Sequence, residues 1–479
     1  MATAKQNFYK WHRILGLIAL VPVISWALSG LSHPFMSNWF RPTIAQEVYK
    51  PAVQSQLKPA LSLKQVLDKN KISQFRNFGL VNFYNHTYYQ VMGLDSVINY
   101  YSANDATLLN NGDQLYATYL ARYFTADSTS KVKSITLQKT FDGQYQPINR
   151  LLPVWKVSFD TPNGMDVYIE TSQSRMGTFN NTTRKVMLVV FEQLHTWAFL
   201  KTWFGERVQL MVLFIAVSAM LFSLISGLVV YGLFWKKFKT VQQARREQGK
   251  ADKRIVHRYH RQIGLIVSFV MLTFAASALF HVIVKLNNVE PQKISYSQVI
   301  NSNDLKLSNL SLPINDSVIV KSGLVKFQDS TYYQVSDNKK IVHYINTATG
   351  NQLNNGDNAY AAYLAAFYRR NENQKVYGQP KISQVRQFDN EYGFINKRLP
   401  VQKISYPDGQ NWYIETTTSQ LATKVAGIDR AEGFSFIFLH KYFGMSWAGK
   451  NVRDIVSMLA ALGVLVAALF GFAAFIKNK

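Results

Sequence analysis

Six histidines in this chain stand where they could bind a metal. His12 and His33 bracket the first apolar run, and His260 and His281 bracket the third. Each pair is 21 residues apart, and the second lies 248 residues after the first. A helix rises about 1.5 Å per residue, so each pair spans about 31 Å, close to the roughly 30 Å of bilayer hydrocarbon. At about 100° per residue the two imidazoles lie about 60° apart around the helix. His195 and His440 add a third histidine per half, each as Leu-His ahead of the next apolar run. Neutral imidazole is the commonest protein ligand for metals. The chemistry these spacings point to is a metal cofactor near one or both membrane faces.

The elements that would carry these residues are four apolar runs, about 14–34, 208–235, 263–284 and 455–476, nearly free of charge and long enough to cross a bilayer. Pro22 within the first run, and the full repeat of that run at 263–284, argue against a cleaved signal peptide. The chain has 479 residues and a formal charge of +25. Much of that charge lies in 236–261, which holds ten Lys/Arg against two acids. Lys5, Lys10 and Arg13 precede the first run, and Lys477 and Lys479 follow the last. The positive-inside rule then makes both termini and the central loop cytoplasmic, with 35–207 and 285–454 on the other side. The densest basic segment is a short loop beside a membrane, which excludes a nucleic-acid partner in favour of lipid headgroups.

There is no cysteine. That excludes disulfides, iron–sulfur clusters, thiolate zinc sites and covalently attached haem, and leaves histidine as the main candidate ligand. No H-E-x-x-H, P-loop, G-x-S-x-G or dinucleotide fingerprint is present, and the 26-residue central loop has no room for a flavin or nucleotide domain.

The halves repeat well beyond the helices. Thr87-Tyr88-Tyr89-Gln90-Val91 recurs at Thr331–Val335, Asn110-Asn111-Gly112-Asp113 at Asn354–Asp357, Leu152-Pro153-Val154 at Leu399–Val401, and Tyr168-Ile169-Glu170-Thr171 at Tyr413–Thr416. The order never changes, so the chain reads as two copies of helix, outer domain, helix in parallel, related by an axis along the membrane normal. Each outer domain reads as α+β. A helix is expected over 62–70, strands over 79–92 and 97–109, a helix over 112–124, and strands over 134–141, 154–160 and 166–171. Phe191, Leu194, His195 and Ala198, followed by Trp203-Phe204-Gly205, read as an interfacial helix that turns at glycine into the membrane. Phe436, Leu439, His440, Phe443 and Gly444 read as its repeat.

These residues resemble the PepSY-associated transmembrane family of bacterial inner-membrane proteins. Trp11-His12-Arg13-x-x-Gly16 and Tyr259-His260-Arg261-x-x-Gly264 are similar to the family's entry to a helix, and Leu194-His195 and Leu439-His440 to its Leu-His before the return helix. Val154–Thr171 and Tyr332–Leu353 look like PepSY modules. The resemblance implies four transmembrane helices with two homologous extracytoplasmic PepSY-like α+β domains and an internal parallel duplication. The expected division is transmembrane helix 1 over 1–34, a first outer domain over 35–207 with an interfacial helix near 185–200, and transmembrane helix 2 over 208–235. A basic cytoplasmic loop over 236–261, transmembrane helix 3 over 262–284, a second outer domain over 285–454 and transmembrane helix 4 over 455–479 complete it.

The family includes haem-containing reductases of ferric siderophores. The resemblance therefore implies an inner-membrane electron-transfer protein with two non-covalent b haems held by His12, His33, His195, His260, His281 and His440. Its acceptor would be a ferric siderophore or other chelate on the periplasmic side, and its donor a quinol or a separate reductase. One arrangement pairs His12 with His260 at the inner face and draws on His33, His195, His281 and His440 at the outer face. The other pairs the outer four off-axis. Interfacial anchoring or ordinary core packing competes with ligation at each position. His86, His257 and His343 read as solvated or structural. Two rival functions stand beside the reductase: a non-enzymatic membrane protein whose PepSY-like domains bind or regulate an extracytoplasmic peptide or protein, and a transporter for an iron chelate.

Overall fold

The computed structural model describes residues 4–48, 50–52, 54, 57, 59–248, 255–287, 294–306, 319–372 and 378–477. Lys250, Lys253 and Arg254 of the basic segment, and Lys479, lie outside the described residues. The chain divides into a helical unit, residues 1–41, 183–291 and 428–479, and a strand-rich unit, residues 42–182 and 292–427.

In the helical unit, Glu206–Val241, Ile255–Asn287 and Lys450–Ile476 are each long and apolar enough to cross a membrane. Gln6–Ile18 and Leu20–Trp39 would together supply one further crossing, bent by 54° at Ala19. The bend follows from Pro22. Its ring removes the donor that would meet the Ile18 carbonyl and crowds that carbonyl, so the ladder breaks there. The apolar faces meet in a core of Ala19, Val23, Val217, Val267, Ala275 and Val464. Small and β-branched side chains there let the helices approach closely.

The expected interfacial helix is three pieces: Thr182–Phe191, a π-helical turn over Glu192–Thr196, and Ala198–Phe204. Gly205, at φ +86°, then redirects the chain into the long helix. In the second half a π-helical turn spans Phe436–His440. There the redirecting glycine is Gly449, at φ +84°, rather than the expected Gly444. A short 3-10 helix, Phe443–Ala448, carries the chain five residues further before the corner.

The strand-rich unit presents the same succession of elements twice. In the first, antiparallel strands Asn77–Phe83, His86–Met92, Ile98–Ser102 and Leu108–Leu109 form one sheet. The helix Gly112–Thr125 follows, then the sheet Val132–Gln138, Val154–Phe159, Asp166–Glu170, Arg175–Asn180. In the second, strands Ile319–Phe327, Ser330–Asp337 and Val342–Asn346 are followed by the helix Gly356–Asn371. The sheet Lys381–Val385, Val401–Ser405, Asn411–Glu415, Gln420–Val425 closes it.

The span 79–92, expected as one strand, is a hairpin. Tyr84 and Asn85 both take positive φ, 52° and 63°, the two-residue turn that matches strand twist. Tyrosine is a strand former by propensity, and only Asn85 signals the turn. Likewise 97–109 is broken by a turn at Ala106, φ 70°.

The two modules share one core, where Phe78, Leu80, Tyr89 and Val91 pack with Ile300, Leu324, Tyr333 and Val335. Their facing edge strands are stitched by side chains: Leu80 N donates to Ser322 Oγ at 3.0 Å, and Leu324 N to Asn77 Oδ1 at 2.8 Å. Two otherwise unsatisfied edge donors are thereby covered.

A buried ion cluster joins the second sheets of the two modules. Arg175, 2% exposed, pairs with Glu170 through Nε and with Glu415 Oε1 at 2.7 Å. Arg398 reaches Glu415 Oε2 at 2.5 Å. Burial alone would raise the Glu415 carboxyl, but Arg175 and Arg398 outweigh it and hold it well below the usual range. Lys321 lies beside this cluster with its ammonium 3.0 Å from Thr417 O, and burial pulls its pKa down to about 7.

Removing one partner of such a cluster strands the others, a cost of about 3–5 kcal/mol. Arg175→Met is therefore expected to lower the thermal midpoint of the strand-rich unit's unfolding, read by tryptophan fluorescence. Lys321 is different, because its folded pKa lies below its unfolded one. Its protonation penalises the fold fully below about pH 7, and the penalty fades as pH rises toward 10.5. Lys321→Met should raise stability at pH 7, and the gain over wild type should shrink steadily by pH 10.

Candidate functional site

The helical unit brings the histidines together two at a time. His12, in the helix Ala4–Ile18, faces His260, in Ile255–Asn287, with ring centroids 6.1 Å apart and planes at 30°. Each ring is fixed by a carbonyl of a neighbouring helix. His12 Nδ1 lies 2.9 Å from Ser223 O, and His260 Nδ1 lies 2.9 Å from Ala467 O. A carbonyl only accepts, so Nδ1 bears the proton in both rings and Nε2 keeps its lone pair. One turn beyond each carbonyl stands a glycine. A Cβ on Gly227 would lie 2.8 Å from His12 Cε1, and one on Gly471 would lie 2.8 Å from His260 Cε1. Only glycine leaves room for a ring against these helices.

His195 and His440 form the second pair, with centroids 6.2 Å apart and planes at 81°. Both sit on the π-helical turns, where the wider turn re-aims a side chain from the regular helical path. Ser29 Oγ donates to Trp26 O at 2.9 Å, so its lone pair accepts from His195 Nδ1, also at 2.9 Å. Trp26 Nε1 in turn donates to His195 O, and its ring stacks on Trp197 at 5.5 Å. Phe274 and Tyr442 make the corresponding ring contact at 5.3 Å, tilted by 41°. His440 Nδ1 and Ser277 Oγ, which correspond to His195 Nδ1 and Ser29 Oγ, are buried without a hydrogen-bond partner. Burial, and Lys441 beside them, hold both imidazoles below the ordinary histidine range and so neutral.

His33 and His281 are engaged elsewhere. Phe191 packs on both His33 and His195, at 5.5 and 4.6 Å, and Phe436 packs on both His281 and His440, at 5.7 and 5.1 Å. His33 Nε2 accepts from the Lys441 ammonium at 3.2 Å. His281 Nδ1 bonds the Glu432 carboxylate. Thr196 and Met187 stand at the positions corresponding to Lys441 and Glu432, so the surroundings of the His195–His440 pair are not symmetric. His86 is exposed at a strand start, and His343 lies 3.3 Å from Asp337 Oδ2.

Among the described residues no group of three or more His, Cys, Asp or Glu side chains is set to hold a bare metal ion. Two imidazoles are a different donor set, one that would suit a haem iron. The glycine clearances and the proton-bearing Nδ1 atoms fit the same use. The pairs lie toward opposite ends of the helices. Gln209 Nε2 bonds Thr196 O at 2.6 Å, and 18 residues along the same helix Gly227 meets His12, a rise of about 27 Å. Ser29, Gly227 and Gly471 escape a search for ligand-type residues. Their signal is positional, for Gly227 and Gly471 are 244 residues apart, as are Ser223 and Ala467.

Gly227→Ala should overpack the His12 ring and cost about 1–3 kcal/mol. Gly232→Ala, in the same helix with open space around its Cβ position, should instead gain up to about 1 kcal/mol. Thermal midpoints of the detergent-solubilised proteins, falling for the first and rising for the second, check the clearance.

None of the curated proteins matches the chain. The family model described as the PepSY-associated TM region matches residues 40–309, more than half of the sequence. The matched region includes His195, His260 and His281 together with the first strand module. With its apolar helices and its paired strand modules, the chain is a membrane protein that belongs to the PepSY-associated TM family.

Proposed function

We propose that the chain is a haem b electron-transfer protein of the bacterial inner membrane, which reduces a ferric chelate of the siderophore type on the periplasmic side. The observation that carries this reading is the pair of pairs: two imidazole couples at 6.1 and 6.2 Å, toward opposite ends of an apolar bundle. His12 with His260 would hold one haem, and His195 with His440 the other. Bound haem would supply one-electron chemistry, with its potential set by the axial ligands and by burial.

The chain's own residues do the rest. The Ser223 and Ala467 carbonyls and the Ser29 hydroxyl fix the proton on Nδ1, which aims Nε2 and raises its basicity. Gly227 and Gly471 clear the ring sites. The layer of Ala19, Val23, Val217, Val267, Ala275 and Val464 keeps water from the space between the pairs.

Four spans in two parallel copies complete the proposal. In it the bent helix pair forms the first span, and the matching succession of elements reflects a duplication about an axis along the membrane normal. The basic segment 236–261 supports cytoplasmic termini and a periplasmic strand-rich unit. His33 and His281, tied to Lys441 and Glu432, flank the second pair rather than ligate in this scheme. The electron donor would be a quinol or a separate reductase, since the chain has neither a flavin nor a nucleotide fingerprint.

The test is spectroscopic. Protein from haem-replete cells should show a Soret band and two b haems per chain by pyridine haemochrome. His440→Ala should lose one of them, while His281→Ala keeps both. A colourless protein would sink the proposal and leave the strand modules to a binding role.

A further inference from the structure

The two strand modules differ at one corresponding place, and the difference makes a cavity. In the first module Trp155 Nε1 donates to Asp113 Oδ2 at 2.5 Å, and the indole lies across the strand from Leu137. In the second, Gln402 Nε2 donates to Asp357 Oδ2 at the same 2.5 Å, and Gln402 pairs across the strand with Gln384. The carboxylate is met identically. The volume of the indole is not replaced. The second module has a cavity of about 250 Å³ here, lined by Gln402, Gln384, Gln352, His343 and Asp357 among others.

The other differences go the same way. Leu137 becomes Gln384, and Leu108 becomes Gln352. An apolar face in one module is an amide face in the other. Gln402 is only 2% exposed, and its Oε1 has no hydrogen-bond partner. An orphaned buried acceptor costs about 1–3 kcal/mol unless a donor reaches it. Asp357 accepts from Tyr344 OH at 2.8 Å as well as from Gln402, and so adds a second fixed acceptor at the lining.

We infer that this cavity binds a single hydroxyl-rich ring, a saccharide or a polyol of that size. Acceptors along the lining, such as the Asp357 carboxylate, call for donors on the ligand. Gln384 donates to Lys340 O and accepts from Arg386 Nε, and Gln352 Nε2 meets His343 Nδ1, which leaves further amide lone pairs and N–H groups to meet neighbouring hydroxyls. Ile341, Val342 and Leu353 give the lining an aliphatic part for the C–H face of a ring. The volume is just below the range of drug-sized sites, about 300–1,000 Å³, and suits one ring rather than a chain. The site lies wholly within the second strand module and owes nothing to haem.

The experiment is ligand-observed saturation-transfer NMR on the full chain in detergent, with glucose and N-acetylglucosamine as probes at millimolar concentration. At least one probe should receive saturation on its ring protons. Gln402→Trp installs the first module's residue, fills the cavity and should cut the signal at least fivefold with no fall in thermal midpoint. If that variant fails to fold, Gln384→Leu decides instead, with the same expected loss. Absence of transfer to both probes, or transfer unchanged in the deciding variant, overturns the site. Displacement of a bound probe by millimolar lysine amide would overturn the ligand class, because it would mean that Asp357 recruits an ammonium.

Discussion

A buried imidazole in an apolar bundle must have its Nδ1 proton accepted, and much of the helical unit is arranged around that requirement. Ser223 O and Ala467 O accept from His12 and His260, and Ser29 Oγ accepts from His195. Each bond fixes the tautomer, and each brings a helix close to a ring. That closeness explains the glycines: at Gly227 and Gly471 the helix surface has to recede by a whole Cβ. The requirement also singles out His440, whose Nδ1 lacks the bond its counterpart makes while Ser277 Oγ stands unpaired. An unmet donor or acceptor in this setting costs about 1–3 kcal/mol.

The strand-rich unit answers a different constraint. Each module's first sheet exposes an edge and an apolar face, and both are resolved against the other module. The shared core and the Asn77 and Ser322 stitches hold the sheets together at one place, and the Arg175–Glu415–Arg398 cluster does so at another. The cluster is not symmetric. Gln420 stands where the first module has Arg175, so the two modules supply unlike charges to one interface. The pairing across the modules, Arg175 with Glu415, fixes which faces meet, since a slipped arrangement would break a buried ion pair.

The membrane character was legible from length and apolarity alone. The four-span reading took the first apolar run as one straight helix, whereas the structure bends it by 54° just before Pro22. Leu-His at 194–195 and 439–440 identified the second imidazole pair, but the sequence left its pairing open. Phe191 packs on both His33 and His195 and Phe436 on both His281 and His440, beside π-helical turns that periodicity does not reveal. The hairpin at Tyr84-Asn85 escaped for a similar reason, because backbone handedness at a tyrosine is set by the strands it joins. His33 and His281 looked equal to the others by spacing. Their partners, Lys441 and Glu432, have no counterparts across the repeat, so the repeat itself could not reveal them.

The repeat is most informative where it fails. Asp113 and Asp357 open the helices Gly112–Thr125 and Gly356–Asn371, where a carboxylate meets the favourable end of the helix dipole. Burial pushes both carboxyls up, and hydrogen bonds from neighbouring donors pull them back. One constraint is therefore strict: an N–H must reach Oδ2 from the adjacent strand. Tryptophan and glutamine both satisfy it, at the same distance. The constraint says nothing about the bulk behind the N–H. A module can exchange a filled face for an open one there without disturbing the bond that fixes the helix to the sheet, so the second module holds a cavity where the first holds an indole while both keep that bond.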